Sequence, residues 1–304
     1  MATDKKMMTP SMNLEFGMSL NSSFFKEENS SAMKDSLRAA DSLELSVDYI
    51  LNGGSSPVSQ LLDGGTFKNL HLFGRQLSIA SMDPLDRTYL TNFKNLCDRY
   101  QARTAGDFLA WTGVGGRHLH ALMPAVLNRS MLTHLKSRIA EVQDFLGRPL
   151  ILENAPTPVA FKASEFTEPE FFRLLAKETG ALFALNLTTI YRNSLFQDFD
   201  PEAYLKQVDW NSIYQLKISL VSDDAKSISG SDAQTFDRSL WSLMSVAGQL
   251  MGSAKNNKYQ IILRDEAGVG AAVSSKWLAT TRLMLKESLR GTQGTSRVSS
   301  PSAT

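Results

Sequence analysis

Apolar residues in this chain fall into two alternating patterns. Short runs, Leu14 to Leu20, Leu43 to Ile50, Leu70 to Phe73, Thr104 to Trp111, Leu150 to Glu153, Ala181 to Leu187, Tyr214 to Val221 and Tyr259 to Leu263, have the length of buried strands. Between them lie segments of helix length. Asp83 is placed to cap a helix with Pro84 at its first position, and Leu85, Tyr89, Phe93, Leu96 and Tyr100 follow at helical spacing. Met131, Leu135, Ile139, Val142 and Leu146 form a second stripe that stops at Gly147. Thr167 and Glu170 have the spacing of a capping box ahead of Phe171, Leu174 and Leu175, and Gly180 ends that helix. Ser239 to Met251 and Ser275 to Leu289 complete the helical patterns.

Strand runs alternating with helices predict a parallel sheet with helical crossovers. Eight strands in 304 residues predict one α/β domain, a (β/α)8 TIM barrel, for which about 250 residues suffice. Residues 1–12 and 291–304 read as flexible tails around a barrel domain at 13–290.

Composition narrows the class. A hydrophobic fraction of 42% with 21% charged residues is that of a globular chain rather than a disordered one. Lys plus Arg (32) nearly balance Asp plus Glu (31), so the overall field favours neither nucleic acid nor an anionic membrane. Cys97 is the single cysteine and falls in a helical pattern, which predicts a buried thiol and a reducing compartment. With no apolar run of signal-peptide or membrane-spanning length, the expected location is the cytoplasm.

Barrel sites are built at the C-terminal ends of the strands. Here those ends offer Ser46, Phe73, Phe108, Glu153, Asn186, Lys217 and Leu263, a poor set for metal chemistry. Of the histidines, His71 reads as a deep core residue and His134 as a helix-surface residue. His118 and His120 form a His-x-His on the loop after the fourth strand, read as a loop anchor ahead of a relocated metal site. Gly113 to Gly116 reads as a tight turn, since it lacks the Lys-Ser/Thr of a phosphate loop. Ser78, Ser219 and Cys97 stand in no arrangement that marks a nucleophile.

Five blocks in order carry a resemblance: LSIASMDPLDRTYLTNFKNL (77–96), DFLAWTGVGGRHLHALMP (107–124), IAEVQDFLGRPLILENAP (139–156), EPEFFRLLAKETGALFALNL (168–187) and FDPEAYLKQVDW (199–210). Together they resemble the multinuclear non-heme iron-dependent oxidative enzymes, a family that includes the methanobactin-forming oxidase and modifies ribosomally made peptides. The resemblance implies the barrel fold, with iron as the family's cofactor. It also implies that most ligand positions are replaced here. The family's Glu-x-His-x-Glu-Asn reads Glu44, Leu45, Ser46, Val47, Asp48, Tyr49; two further histidine positions are Phe73 and Phe108; an aspartate position is Asn186; another histidine position is Lys217; and a late Leu-Ile-Glu falls on Ile261, Ile262, Leu263.

The expectation is therefore a metal-free pseudoenzyme of that family with no cofactor. It would serve as a scaffold, peptide-binding or regulatory partner in a ribosomal-peptide pathway, binding a peptide or a partner protein. The alternative is an enzyme with a rebuilt mouth acting on a peptide or small molecule. The candidate pocket is Asp107, His120, Glu153, Asn154, Asn186 and Lys217, with Lys217 expected to neutralise Glu153 or Asp107 and with Phe73 and Phe108 partly plugging the mouth.

Overall fold

The computed structural model describes residues 12–20, 37–63, 69–157, 159–220, 238–266 and 271–295. Strands β1 (Asn13–Leu20), β2 (Ser42–Ser46), β3 (Leu70–Phe73) and β4 (Thr104–Phe108) come first. A hairpin, β5 (Ala110–Val114) and β6 (Arg117–Pro124), follows, and then β7 (Leu150–Glu153), β8 (Leu182–Asn186), β9 (Ile213–Leu220) and β10 (Lys258–Asp265). Eight of these close a barrel in the order β1-β10-β9-β8-β7-β4-β3-β2, and β5 and β6 form a separate two-stranded sheet. All eight neighbouring pairs of the barrel run parallel. The expected TIM barrel is the fold observed.

The longer helices are α1 (Ser55–Asp63), α2 (Arg87–Arg99), α3 (Arg129–Leu146), α4 (Glu168–Thr179), α5 (Leu187–Gln197), α6 (Pro201–Gln207), α7 (Arg238–Ser253) and α8 (Ala271–Thr295). Their ends follow local chemistry. Gly147 and Gly180 take the left-handed conformation (φ +65° at both) that closes α3 and α4, and Thr167 with Glu170 makes the full capping box at the start of α4. Outward-facing strand residues such as Leu45, Leu72, Leu152, Leu185, Ile218 and Leu263 pack with the helices in one core. Cys97 is buried there, and burial pushes its thiol up to about 12, which leaves it inert as a nucleophile.

Several boundaries differ from the sequence reading. The second strand ends at Ser46, because the Ser46 hydroxyl accepts a hydrogen bond from the Tyr49 backbone (3.2 Å) and turns the chain into a helical segment. The run from Thr104 to Trp111 is two strands, parted where the Leu109 backbone donates to the Glu153 carbonyl (2.8 Å) and the chain leaves the barrel as the hairpin. The first large helix starts after Asp86, whose carboxylate accepts from the Thr88 and Tyr89 backbones (2.8 and 3.0 Å). Asp83 is not its cap: the Arg138 guanidinium of α3 holds the carbonyls of Ser78, Ile79 and Asp83 (3.2, 2.9 and 2.6 Å) and keeps that loop out of helical form. His118 and His120 stand on β6 rather than on a loop, and Gly115 and Gly116, both at positive φ, make the tight turn that precedes it. His134 is half-buried, with Nε2 2.8 Å from the Ser81 carbonyl oxygen.

Helix α8 continues to Thr295, five residues beyond the expected domain end at 290. Residues 1–11 and 296–304 of the expected tails lie outside the described residues. Among the described residues no helix is long and apolar enough to cross a membrane.

Candidate functional site

The barrel interior is polar rather than filled with branched aliphatics. Strand parity sends Glu44, His71, Phe73, Phe108, Glu153, Asn186, Lys217, Ser219, Gln260 and Arg264 inward while their neighbours face the helices. Deepest is a hydrogen-bonded network around His71. His71 Nδ1 lies 2.8 Å from Thr104 Oγ1, and Gln260 Nε2 donates to His71 Nε2 (2.7 Å) and to Glu15 Oε1 (3.1 Å). Burial lowers the His71 imidazole to about 4, against the opposing pull of Glu44, so the ring is a satisfied core group, as the sequence reading expected.

Above it four charged side chains converge. Lys217 Nζ is 2.6 Å from Glu44 Oε2 and 2.9 Å from Glu153 Oε2. Arg264 grips Glu153 through two parallel bonds, Nη1 to Oε1 and Nη2 to Oε2, both 2.9 Å, while Nη2 also reaches Glu44 Oε1 at 3.0 Å. Asn186 Nδ2 donates to Glu153 Oε1 (3.0 Å) and to Ser219 Oγ (2.8 Å). Two carboxylates thus balance two cations in a site where no side chain of the four exceeds 5% exposure. Burial acts to raise the Glu44 carboxyl, but Lys217 and Arg264 outweigh it and hold the group at about 2. Glu153 is lowered by the same balance, and Arg264 is raised because the attraction of Glu153 and Glu44 exceeds its desolvation.

Two aromatic rings cover the tetrad. Phe73 and Phe108 meet edge to face at 5.1 Å, with Lys217 Nζ 3.8 Å and the Arg264 guanidinium 4.6 Å from the Phe73 ring centre. Gly106 permits this, since a Cβ there would lie 2.7 Å from the Phe73 ring. Over the rings remains a cavity of about 330 Å³, walled by Arg75, Phe108, Glu153, Asn186, Arg264 and Glu266 among others. The mouth is partly plugged, not sealed.

Of the candidate pocket, Glu153, Asn186 and Lys217 come together. Asp107 does not join them. It faces the helices, where its carboxylate accepts from the Phe108 and Leu77 backbones (2.7 and 2.9 Å) and where burial, reinforced by Asp48 and opposed by those two bonds, pushes it up to about 7. Adjacent strand residues point to opposite faces, so Asp107 cannot share a wall with Phe108, and Lys217 pairs with Glu44 in its place. Asn154 is likewise turned away, bridging β7 to β8 through the Asn186 backbone (2.7 and 3.3 Å). The side chain of His120 lies outside the described residues.

Glu44 and Arg264 are the two site residues missing from the expected pocket. Glu44 was legible as the inward residue two before Ser46. Arg264 was hidden by ending the last strand at Leu263; β10 runs on to Asp265, and a one-residue shift in a strand exchanges its inner and outer faces.

An iron centre needs imidazole and carboxylate lone pairs aimed at a shared open position. Here all four oxygens of Glu44 and Glu153 already accept bonds from Lys217 or Arg264, and Phe73 and Phe108 fill space where the resemblance implies imidazole. Among the described residues, no three His, Cys, Asp or Glu side chains are arranged to hold a metal ion. The residues present do not fit the iron that the resemblance implies.

Comparison with known proteins places this geometry. The UPF0276 protein of Anaeromyxobacter sp. (strain Fw109-5) is 34% identical over 57% of this chain and 61% of its own length. That of Acaryochloris marina (strain MBIC 11017) is 30% identical over 68% of this chain and 75% of its own. Among solved structures, an L-ribulose 3-epimerase superposes with a TM-score of 0.58 at 11% identity, covering 95% of this chain and all of that one, which is a likeness of fold alone. Residues 15–257 match the family described as RiPP precursor modification enzyme MbnB/TglH/ChrH, and with that match over most of its barrel the chain belongs to this family.

Proposed function

We propose that this chain is a metal-free pseudoenzyme of its family, in which a salt-bridged tetrad has taken the place of a reactive centre. It serves a peptide-modification pathway as a scaffold, carrier or regulatory partner that binds a peptide or a companion protein. The observation that carries this reading is the pairing of Lys217 and Arg264 with both Glu44 and Glu153. An ammonium wedged between two carboxylates repels a cation and leaves them no free charge to offer one. The buried single thiol is in keeping with work in the cytoplasm.

The test is anaerobic reconstitution with ferrous iron followed by elemental analysis, for the wild type and Glu153→Ala. Bound iron well below one equivalent, unchanged in the variant, is the expected result. Near-stoichiometric iron that the variant loses would overturn the proposal. A second reading, an enzyme rebuilt at the mouth, draws on the remaining cavity of about 330 Å³ and its polar wall. Lys217 and Asp107 are not among the residues lining that cavity, so such an enzyme would have to work with Glu153, Asn186 and Arg264. Turnover of any candidate peptide that Asn186→Ala abolishes without loss of folding would favour it.

A further inference from the structure

A second cavity, of about 310 Å³, lies outside the barrel lumen between segments 155–157 and 159–166, helices α5 and α6, and the start of α4. Among the described residues it shares no lining residue with the mouth cavity. Its size is near the lower end of the roughly 300–1,000 Å³ typical of small-molecule sites. Its walls are mostly apolar, with Leu109, Leu127, Phe166, Ile190 and Phe199 facing the space and Val159 and Phe161 exposed at its rim.

The enclosing loop is tied down at both ends. Asn193 accepts from the Thr157 backbone (3.0 Å) and donates to the Ala155 carbonyl (3.0 Å), and Gln197 donates to the Thr157 carbonyl (2.6 Å). At the far end the Glu165 and Phe166 backbones both donate to the Leu127 carbonyl (2.9 and 3.1 Å), and Ser164 Oγ accepts from the Leu127 backbone (3.1 Å). These bonds make the cavity a standing feature of the fold.

Among the described residues, the charged ones of the lining are both acids, Glu168 and Asp200. Asp200 spends one oxygen capping α6, where it accepts from the Glu202 backbone (3.0 Å). Glu168 has one hydrogen-bond partner among the described residues, the Tyr204 hydroxyl, which donates to Oε2 at 2.7 Å. Its Oε1 has no such partner.

We propose that this cavity is a binding site for an apolar primary amine, with the hydrocarbon body among the aliphatic and aromatic walls and the ammonium on Glu168 Oε1. An ammonium would both donate to that oxygen and offset the acidic lining, whereas a neutral donor would do only the first. The rings of Phe166, Phe199 and Tyr204 also line the space. Desolvation, partly offset by the Tyr204 bond, pushes the Glu168 carboxyl up to about 7, so binding of an ammonium near neutral pH would be accompanied by proton release.

The proposal does not depend on the pseudoenzyme reading. It is tested by calorimetric titration of the full chain with 2-phenylethylamine, 2-phenylethanol and 3-phenylpropanoate. The amine should bind at least tenfold tighter than the alcohol, and the carboxylate weakest. Repeating the amine titration at pH 7 in two buffers of different ionisation enthalpy should show protons released. Glu168→Gln should cost the amine at least tenfold and leave the alcohol unchanged. Ala203→Phe, which fills the space without touching the acid, should abolish binding of both and also serves if Glu168→Gln fails to fold. Equal affinity for amine and alcohol, amine binding unaffected by Ala203→Phe, or no binding of the amine at millimolar concentration would each overturn it.

Discussion

Lys217→Met removes the ammonium and keeps most of the side-chain volume. In the wild type that ammonium lies 2.6 Å from Glu44 and 2.9 Å from Glu153, wholly buried, so its loss leaves two carboxylates against Arg264 alone. Removing one partner of a buried ion pair typically costs about 3–5 kcal/mol, because the charge left behind stays desolvated. Set against a typical stability of about 5–15 kcal/mol, this is enough to unfold a marginal chain. The pH response should also reverse. In the variant one carboxyl loses its neutralising partner, its pKa rises, and the folded state then binds the proton more readily than the unfolded one, so stability recovers as pH falls from about 7.5 to 5.5. Urea unfolding followed by the fluorescence of the four tryptophans, at both pH values, reads both effects. A double variant, Lys217→Met with Glu44→Gln, restores charge balance as a Glu153–Arg264 pair and should recover part of the loss. A cost below about 1 kcal/mol with no change in pH response would refute the claim that charge balance holds this site together.

Further outcomes follow from the same structure. Glu44 is held at about 2 against an ordinary 4.5, so below about pH 4.5 the unfolded chain takes up the proton and the folded one does not. The wild type should therefore lose about 3 kcal/mol from this group as pH falls from about 5 to 2, a decline that Glu44→Gln should flatten in acid denaturation curves. His71, lowered to about 4, should show no titration of its ring nitrogens between pH 5 and 8 by NMR, while an ordinary midpoint near 6.5 would contradict its buried network. Gly106→Ala would put a methyl 2.7 Å from the Phe73 ring and should destabilise by about 1–3 kcal/mol; thermal melting checks this, and Phe73→Leu in the same chain should relieve it.

The fold was legible in the sequence because its signals are local. Continuous apolar runs give strands buried on the helix side, three-and-four spacing gives helices, and the Thr167–Glu170 box and the glycines at 147 and 180 act through bonds within a few residues of themselves. His71 as core, Cys97 as buried thiol, and Phe73 with Phe108 as the plug followed from residue type and strand parity in the same way. What the sequence left open were choices between local alternatives that distant contacts decide. Asp83 and Asp86 are comparable caps until Arg138, more than fifty residues on, claims the loop before the helix. The tetrad is the fullest case. Glu44 and Lys217 are 173 positions apart and Glu44 and Arg264 are 220 apart, so no spacing rule joins them. Closure of the sheet brings β2, β7, β9 and β10 around one lumen, and the register of β10 against β9 decides that Arg264 faces in and Leu263 faces the helices. Sequence supplied the charges; the closed barrel, by removing water from them, decided which must pair.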